Sequence, residues 1–553
     1  MSWRRQSYEV LPALSVRRRE LRHSLRMVTV AWMFGVVWMV GVGGSHVRSF
    51  CRMLGFDDFA FGLMNAIPSL AAFVQIAATI MVERSGLTKF HFIEVTTISR
   101  AMWLLIPLIP LVLPAPSPGA VAAMLAVLTI ATLMAHMGAP AWYTWMGDLI
   151  PRRIRGRYMA QRDRLCKLIQ VAAVIIIGII IDQARVAGAP ETATGQPRLL
   201  ITACIVLFVG AVFGVVDILT FYGIREIMPP VAEKFRQPAV DIRVARPKAP
   251  GLAGGAAYLW RYAAAAVRQV LVEPLADRSF RYYVGYGLVL TFAMTVGGWY
   301  YWLLAMEHLG LGNLATMSLF MAIGPFSGIL SAGLWGRLID RWGRRPVLII
   351  ATSGIAMAIL PWFLARPDTP CPVFVAAAVN WASMHVGGLF GRPVALIGPH
   401  TPAGAFMIIL CNNLVSGSCW VGVNLAQTGI QLGFADGEGR SKYVASSAVL
   451  MSIGGVLGGL VGGTVTEWLH NHAPAPFGPF RWVNWHAALA IDMCARMAAL
   501  ALAIRMPDPG SGRVRDILRL FGVNVYSVWA PRLFLPLRLL GWRREHGDAP
   551  RDQ

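Results

Sequence analysis

Residues 336–346 read Gly-Arg-Leu-Ile-Asp-Arg-Trp-Gly-Arg-Arg-Pro, at the junction of two apolar runs, about 315–338 and 346–365. Five of these eleven positions are charged, whereas Val347–Leu364 carries no charge at all. A helix that crosses a hydrocarbon core of about 30 Å needs about 20 mostly apolar residues. The two runs therefore read as membrane spans, and the charged junction as a tight loop at the membrane surface.

The rest of the chain repeats this alternation. Of its 553 residues 56% are hydrophobic and 14% charged, against about 25% charged in a typical soluble domain. Twelve spans are expected, at about 27–46, 60–82, 92–113, 119–146, 165–182, 199–222, 280–304, 315–338, 346–365, 405–432, 443–466 and 485–505. The chain thus reads as an all-α integral membrane protein. One extra apolar segment, 371–396, is long enough for a thirteenth span. Counting it would move the Arg440 loop and all that follows to the opposite side, against the charge of the C-terminal tail. It is therefore expected as part of an insertion, 366–404, re-entrant or lying on the outer surface.

The formal charge of +22 is spread over loops and forms no basic domain of its own, which argues against a nucleic-acid partner. Its distribution is instead topological. The loop near 114–118 has no charge, while 146–167 holds Arg152, Arg153, Arg155, Arg157, Arg162, Arg164 and Lys167. Loops after even-numbered spans are basic, as are both termini, so both ends are expected in the cytoplasm. Abundant arginine and scarce lysine hint at a GC-rich bacterial genome, hence a bacterial inner membrane. Seven arginines precede the first span, which lacks a small-residue cleavage site; a retained helix is expected rather than a signal peptide. The expected plan is a basic N-tail (1–26), a first bundle (27–223), a cytoplasmic linker (224–279), a second bundle (280–506) and an interfacial tail (507–553). An amphipathic helix is expected at 258–272, and residues 510–545 alternate Arg with apolar side chains, as suits the headgroup region.

The seven cysteines, at 51, 166, 204, 371, 411, 419 and 494, show no metal-like spacing. Cys51 and Cys371 are both expected towards the outer face and could pair. No cofactor is expected.

The chain also repeats itself at a spacing of about 255 to 285 residues. Leu54-Gly55 leading to Ala66-Ile67-Pro68 matches Leu309-Gly310 leading to Ala322-Ile323-Gly324-Pro325. Glu83-Arg84-Ser85-Gly86 after span 2 matches Asp340-Arg341-Trp342-Gly343 after span 8. Arg155-Gly156-Arg157-Tyr158-Met159-Ala160 after span 4 matches Arg440-Ser441-Lys442-Tyr443-Val444-Ala445 after span 10. Six spans separate the members of each pair, an even number, so the two six-helix halves are parallel repeats. Parallel repeats are characteristic of transporters whose substrate site lies between the halves near mid-membrane.

Gly336, Leu338, Asp340, Arg341, Gly343, Arg344 and Arg345 resemble the signature loop of the major facilitator superfamily, with the pattern G-x-L-x-D-R-x-G-R-R/K. The first-half copy keeps Glu83, Arg84 and Gly86, with Lys89, but lacks the leading Gly-x-Leu. The run Asp148–Pro151 with Arg155, Gly156, Arg157 and Tyr158 resembles the second cytoplasmic signature of that family. The resemblance implies the major facilitator fold and a gate. Asp340 would meet Arg344, Arg345 or the start of span 11 near Lys442 when the cytoplasmic side closes. Gly336 would let span 8 approach a neighbour closely.

The resemblance further implies that spans 1, 4, 7 and 10 line a central cavity. Candidate cavity residues are His136, Trp299, Asn413, Trp420, Asn424 and Gln427, the last four at spacings that place them on one face of span 10. Amides with aromatic rings suit a neutral, hydroxyl-bearing, sugar-like solute, though such amides equally serve as hydrogen-bonded links between helices. No carboxylate sits at the middle of these four spans; Asp148 and Glu307, near the cavity ends, could still contribute to coupling by a proton or cation. Asp492 and Arg496, four apart in span 12, read as a structural pair at the bundle periphery. Asp217 and Asp182 are expected to reach water, and Arg100 has no evident partner. Gly454, Gly455, Gly458, Gly459, Gly462 and Gly463 make span 11 smooth, for sliding as a gate helix or for tight static packing.

These readings point to a secondary active transporter that moves a small solute by alternating access, with the bilayer as its other partner and acting as a monomer. A transporter-like receptor or scaffold is the alternative. A membrane enzyme would need a water-exposed acid, histidine or metal constellation, for which only Glu467, His470 and His472 come near.

Overall fold

The structure, a computed structural model, describes residues 18–75, 77–78, 81, 88–150, 152–186, 192–224, 261, 265, 268–389, 402–434, 440–472, 478, 481–507 and 512. Among these, eleven helices are long and apolar enough to cross a membrane. They are Glu20–Gly43 (span 1), Thr88–Val112 (3), Pro118–Trp142 (4), Gln161–Ala184 (5), Pro197–Gly223 (6), Arg278–His308 (7), Asn313–Trp342 (8), Arg344–Leu364 (9), Ala403–Gln431 (10), Ser446–His472 (11) and Trp485–Arg505 (12). The expected second span is described as a helix over Asp58–Ala72, and positions 76, 79, 80 and 82–87 fall outside the described residues. So do Glu83, Arg84 and Gly86, most of 258–272, and all of 510–545 except Gly512.

Lipid offers no partner to a backbone N–H or C=O, so each span satisfies its own backbone as a helix and turns apolar side chains outward. On span 5, Leu168 is 71% and Ile176 58% exposed, as lipid-facing residues are. The extra apolar segment forms a helix over Val373–Leu389. Its residues Val373, Phe374 and Trp381 are exposed, and 390–396 lie outside the described residues.

Helix pairing in the first half recurs in the second. Spans 1 and 6, 3 and 4, 2 and 4, and 1 and 5 pack together; so do 7 and 12, 9 and 10, 8 and 10, and 7 and 11. Between the halves the main pairings are 2 with 11 and 5 with 8, which the repeat interconverts. The architecture is the two-bundle major facilitator fold read from the parallel repeat.

We call the side at which the chain enters span 1 the near face, and the other the far face. The glycines of span 11 form two stripes. Gly462 faces Val296 of span 7, where an added Cβ would lie 2.9 Å from the Val296 carbonyl oxygen; Gly454 and Gly458 face the same helix. Gly459 and Gly463 face span 2 of the other bundle, where a Cβ on Gly459 would lie 2.7 Å from the Ala66 Cβ and one on Gly463 would lie 3.1 Å from the Gly62 Cα. The neighbouring helices can approach this closely only because span 11 carries no side chain at these positions.

All seven cysteines are free, and Cys51 is buried, so the pairing of Cys51 with Cys371 does not occur.

Candidate functional site

A cavity of about 450 Å³ opens inside the second bundle. Span 7 shapes it by breaking: its regular helix ends at Gly297, Gly298 adopts a non-helical conformation, and the chain resumes at Tyr300. Asn65 of span 2 fills this break and accepts a hydrogen bond from the Trp299 backbone N–H at 3.1 Å. The walls are Tyr301, Phe320 and Trp362 on one side and Asn412, Asn413, Ser416 and Trp420 of span 10 on another. Asn413 donates to the Leu319 carbonyl at 2.9 Å.

Of the candidates read from sequence, the structure brings Asn413 and Trp420 together at this cavity. Asn424 is exposed and Gln427 half-buried on the same helix stripe, one and two turns nearer the near face, and neither lines it. The Trp299 ring sits at the seam between the bundles, 6.3 Å from Phe61. His136 lies in the first bundle, its Nδ1 2.8 Å from Gln75 Nε2, linking spans 2 and 4.

Arg496 also lines the cavity, which corrects the reading of Asp492 and Arg496 as a peripheral pair. Asp492 is fully buried and Arg496 is 6% exposed. The guanidinium donates to both Asp492 oxygens at 2.7 Å and to the Ile355 carbonyl at 2.9 Å, while the Tyr301 hydroxyl donates to Asp492 at 2.8 Å. It also lies 5.4 Å from the Trp420 ring centroid. Span 12 faces inward here because Gly297, against Asp492, leaves room for it. A charge pair at mid-span was the available signal, since such groups are costly in a membrane unless used. The first bundle buries a similar pair. Asp217 is 6% exposed and lies 3.6 Å from Arg100, whose guanidinium stacks 3.2 Å from the Trp38 ring centroid. Asp217 therefore does not reach water, and Arg100 has its partners.

At the far face a second constellation joins the bundles. Asp58, 3% exposed, accepts from Arg52 (2.8 Å), from Trp485 Nε1 (2.8 Å) and from Asn484, the last two at the start of span 12. Glu307, ending span 7, accepts from Arg52 at 2.8 Å and pairs with Arg48. Burial opposes the charge of Arg52, but Glu307 and Asp58 outweigh it and hold the guanidinium above its ordinary pKa. Glu467 of span 11 accepts the Asp58 backbone N–H at 3.1 Å. Asp182, ending span 5, caps span 8 across the seam, accepting from the backbone N–H groups of Asn313 (2.7 Å) and Leu314 (2.9 Å). Ser45 donates to the Asn313 side chain at 2.7 Å. Hydrogen bonds between described residues of the two bundles all lie from mid-depth to this face, the deepest being Gln170 to the Met321 carbonyl at 2.8 Å.

The near-face signature loop is built differently. Gly343 has φ 91°, which only glycine adopts freely, and it turns the chain directly from span 8 into span 9. Arg341 stacks on Trp342, Arg345 donates to the Ile504 carbonyl of span 12, and Arg344 lies along Gly429 and Gly433 of span 10. Asp340 is exposed and makes no hydrogen bond or ion pair with any described residue. A Cβ on Gly336 would meet no described atom within 4 Å, so the expected close helix approach is not made to any described residue. Arg155, Gly156 and Arg157 lie on the first turns of the helix Arg152–Ala184, and Arg440 begins the helix Arg440–His472; the arginine side chains are outside the described part.

Two parallel six-helix bundles, each packed through the same helix pairs, with a cavity inside one whose mostly apolar wall carries a few polar groups, define the fold class of secondary transporters. The chain belongs to the major facilitator superfamily, whose family model matches residues 31–416. No curated protein matches the chain by sequence. Among solved structures, it resembles the nucleoside transporter NupG, with 12% identity and a TM-score of 0.56 over 88% of this chain and 100% of that one. It resembles the inward-open xylose transporter XylE from E. coli with 13% identity and a TM-score of 0.53, over 90% of this chain and 99% of that one. A D-xylose-proton symporter matches at 12% identity and a TM-score of 0.53, over 88% and 99%. At such identities the likeness establishes the fold alone.

Proposed function

We propose that the protein moves a small neutral solute across a bacterial inner membrane by alternating access, with the near face in the cytoplasm. The observation that carries this reading is the one-sidedness of the seam. Far-face contacts run from the Asp58 cluster to the Asp182 cap, while Asp340 on the near face is exposed and makes no hydrogen bond or ion pair among the described residues. These contacts support a state held together at the far face, whose converse would pair the signature loop and part the far-face contacts.

The solute is read from the cavity wall. Its charge cancels, because Arg496 is neutralised by Asp492, and the remaining lining offers amides, a hydroxyl and the faces of Trp420, Tyr301 and Trp362. These groups hydrogen-bond hydroxyls and stack on the apolar face of a ring. The test is uptake into liposomes from a panel of sugars, nucleosides and amino acids, with and without a proton gradient. Uptake of an uncharged ring-bearing solute is expected. Absence of transport for the whole panel in folded protein would favour a receptor or scaffold.

A further inference from the structure

We propose that the π-helical turn of span 8 is the joint through which solute in the cavity of the second bundle releases the far face, with Asn413 and Gln170 as the positioning residues that hold it. The proposal rests on the solute-cavity reading above and gives the route from that site to the seam.

Span 8 is α-helical over Asn313–Met317, π-helical over Ser318–Ile323 and α-helical again over Gly324–Trp342. Its two α-helical parts are seated on different bundles. On the far-face side of the turn, Gly178 of span 5 faces Leu314, where an added Cβ would lie 2.8 Å from the Leu314 Cα, and Asp182 caps the same end. On the near-face side, span 8 packs along span 10, with Gly417 against the Gly324 carbonyl. A π turn holds one residue more than an α turn, so closing it to α rotates one flank against the other by about 100° and shifts it by about 1.5 Å. Asn313 and Leu314 then no longer face Asp182. The far-face cap therefore depends on the turn remaining π-helical.

Two side chains from outside span 8 hold the turn. Pro325 has no N–H to give the Met321 carbonyl, one helical turn before it. Gln170 of span 5, 8% exposed, supplies that donor through Nε2 at 2.8 Å. Lys167 donates to the Gln170 Oε1 at 2.7 Å, which fixes the direction of the amide. Asn413 of span 10 donates to the Leu319 carbonyl of the same turn at 2.9 Å. Leu319, Phe320 and Asn413 all line the cavity, and the Phe320 ring lies 4.6 Å from Trp302 and 5.8 Å from Trp362. A solute oxygen that accepts from Asn413 takes a donor away from the turn, and a solute ring against Trp362 displaces Phe320. The turn then closes to α, and Asn313 swings away from Asp182.

The test uses the full chain in nanodiscs with a cysteine placed at Ser45, which is fully buried at the far-face seam. Its modification by a membrane-impermeant maleimide is followed by mass spectrometry. Asn413→Leu and Gln170→Leu are each expected to speed labelling about fivefold, as one hydrogen bond to the turn is lost. Asn424→Leu, on the same helix but away from the turn, is expected to leave it unchanged. Pro325→Ala gives Met321 a donor within span 8. Against that background Gln170→Leu is expected to change labelling by less than about twofold. Unchanged labelling in both single variants, equal acceleration by Asn424→Leu, or a full Gln170→Leu effect in the Pro325→Ala background would overturn the proposal. Uptake of a sugar or nucleoside into liposomes, with labelling unchanged in both single variants, would overturn the joint and leave the transport reading intact. The expected labelling pattern in a protein that takes up no solute would do the reverse.

Discussion

Asp182, the last acidic residue of span 5, caps span 8 of the opposite bundle by accepting the backbone N–H of Asn313 at 2.7 Å. Its second oxygen accepts from Leu314, so two of the donors left open at a helix start are satisfied from across the seam. A cap contributes about 1 kcal/mol, and here it counts only while the far face is closed.

Asp182→Ala is therefore expected to shift the population towards the far-face-open state by about fivefold, the equivalent of about 1 kcal/mol. Asp182→Asn, which also caps well, is expected to shift it much less. Labelling of a cysteine placed at Ser45 by a membrane-impermeant thiol reagent reads the change; equal labelling in all three proteins would sink the idea.

Gly459 stands against Ala66 and the Gly62 backbone, with no space for a side chain. Gly459→Leu is expected to keep spans 2 and 11 apart, leaving the protein expressed but unable to close its far face. Transport falls by at least about tenfold, since a one-state protein cannot cycle. Gly333→Leu meets open space and is expected to transport normally.

Gly336 and Asp340 are predicted to matter in the opposite state. Gly336→Leu causes no clash here, so thermal stability in this conformation is expected to be unchanged while transport is impaired. Asp340→Asn is expected to impair transport with normal expression. Full transport by both variants would remove the gate role of the loop.

Asp492→Ala leaves Arg496 buried without its counter-charge, at a cost of about 3–5 kcal/mol. A clear drop in melting temperature is expected. Replacing both residues with leucine and methionine is expected to restore stability but not solute binding, because the cavity loses its Arg496 wall. Stability and binding that fell and recovered together would contradict this.

Much of the fold was legible along the chain because a bilayer imposes a one-dimensional code. Span length, the charge of alternate loops and the three matched segments each act locally, so the parallel two-bundle plan needed no knowledge of contacts. Asn413 and Trp420 were legible too, through their spacing on one helix. The remaining relationships join residues far apart in sequence. Tyr301 meets Asp492, Asp182 meets Asn313, and Asp58 gathers Arg52, Asn484 and Trp485. No local pattern encodes such meetings, because they follow from which helix faces turn towards each other. The signature loop shows the same division. Its residues named the family from the sequence, but whether Asp340 has a partner depends on how the two bundles are tilted, and only the tertiary structure places them closed at the far face.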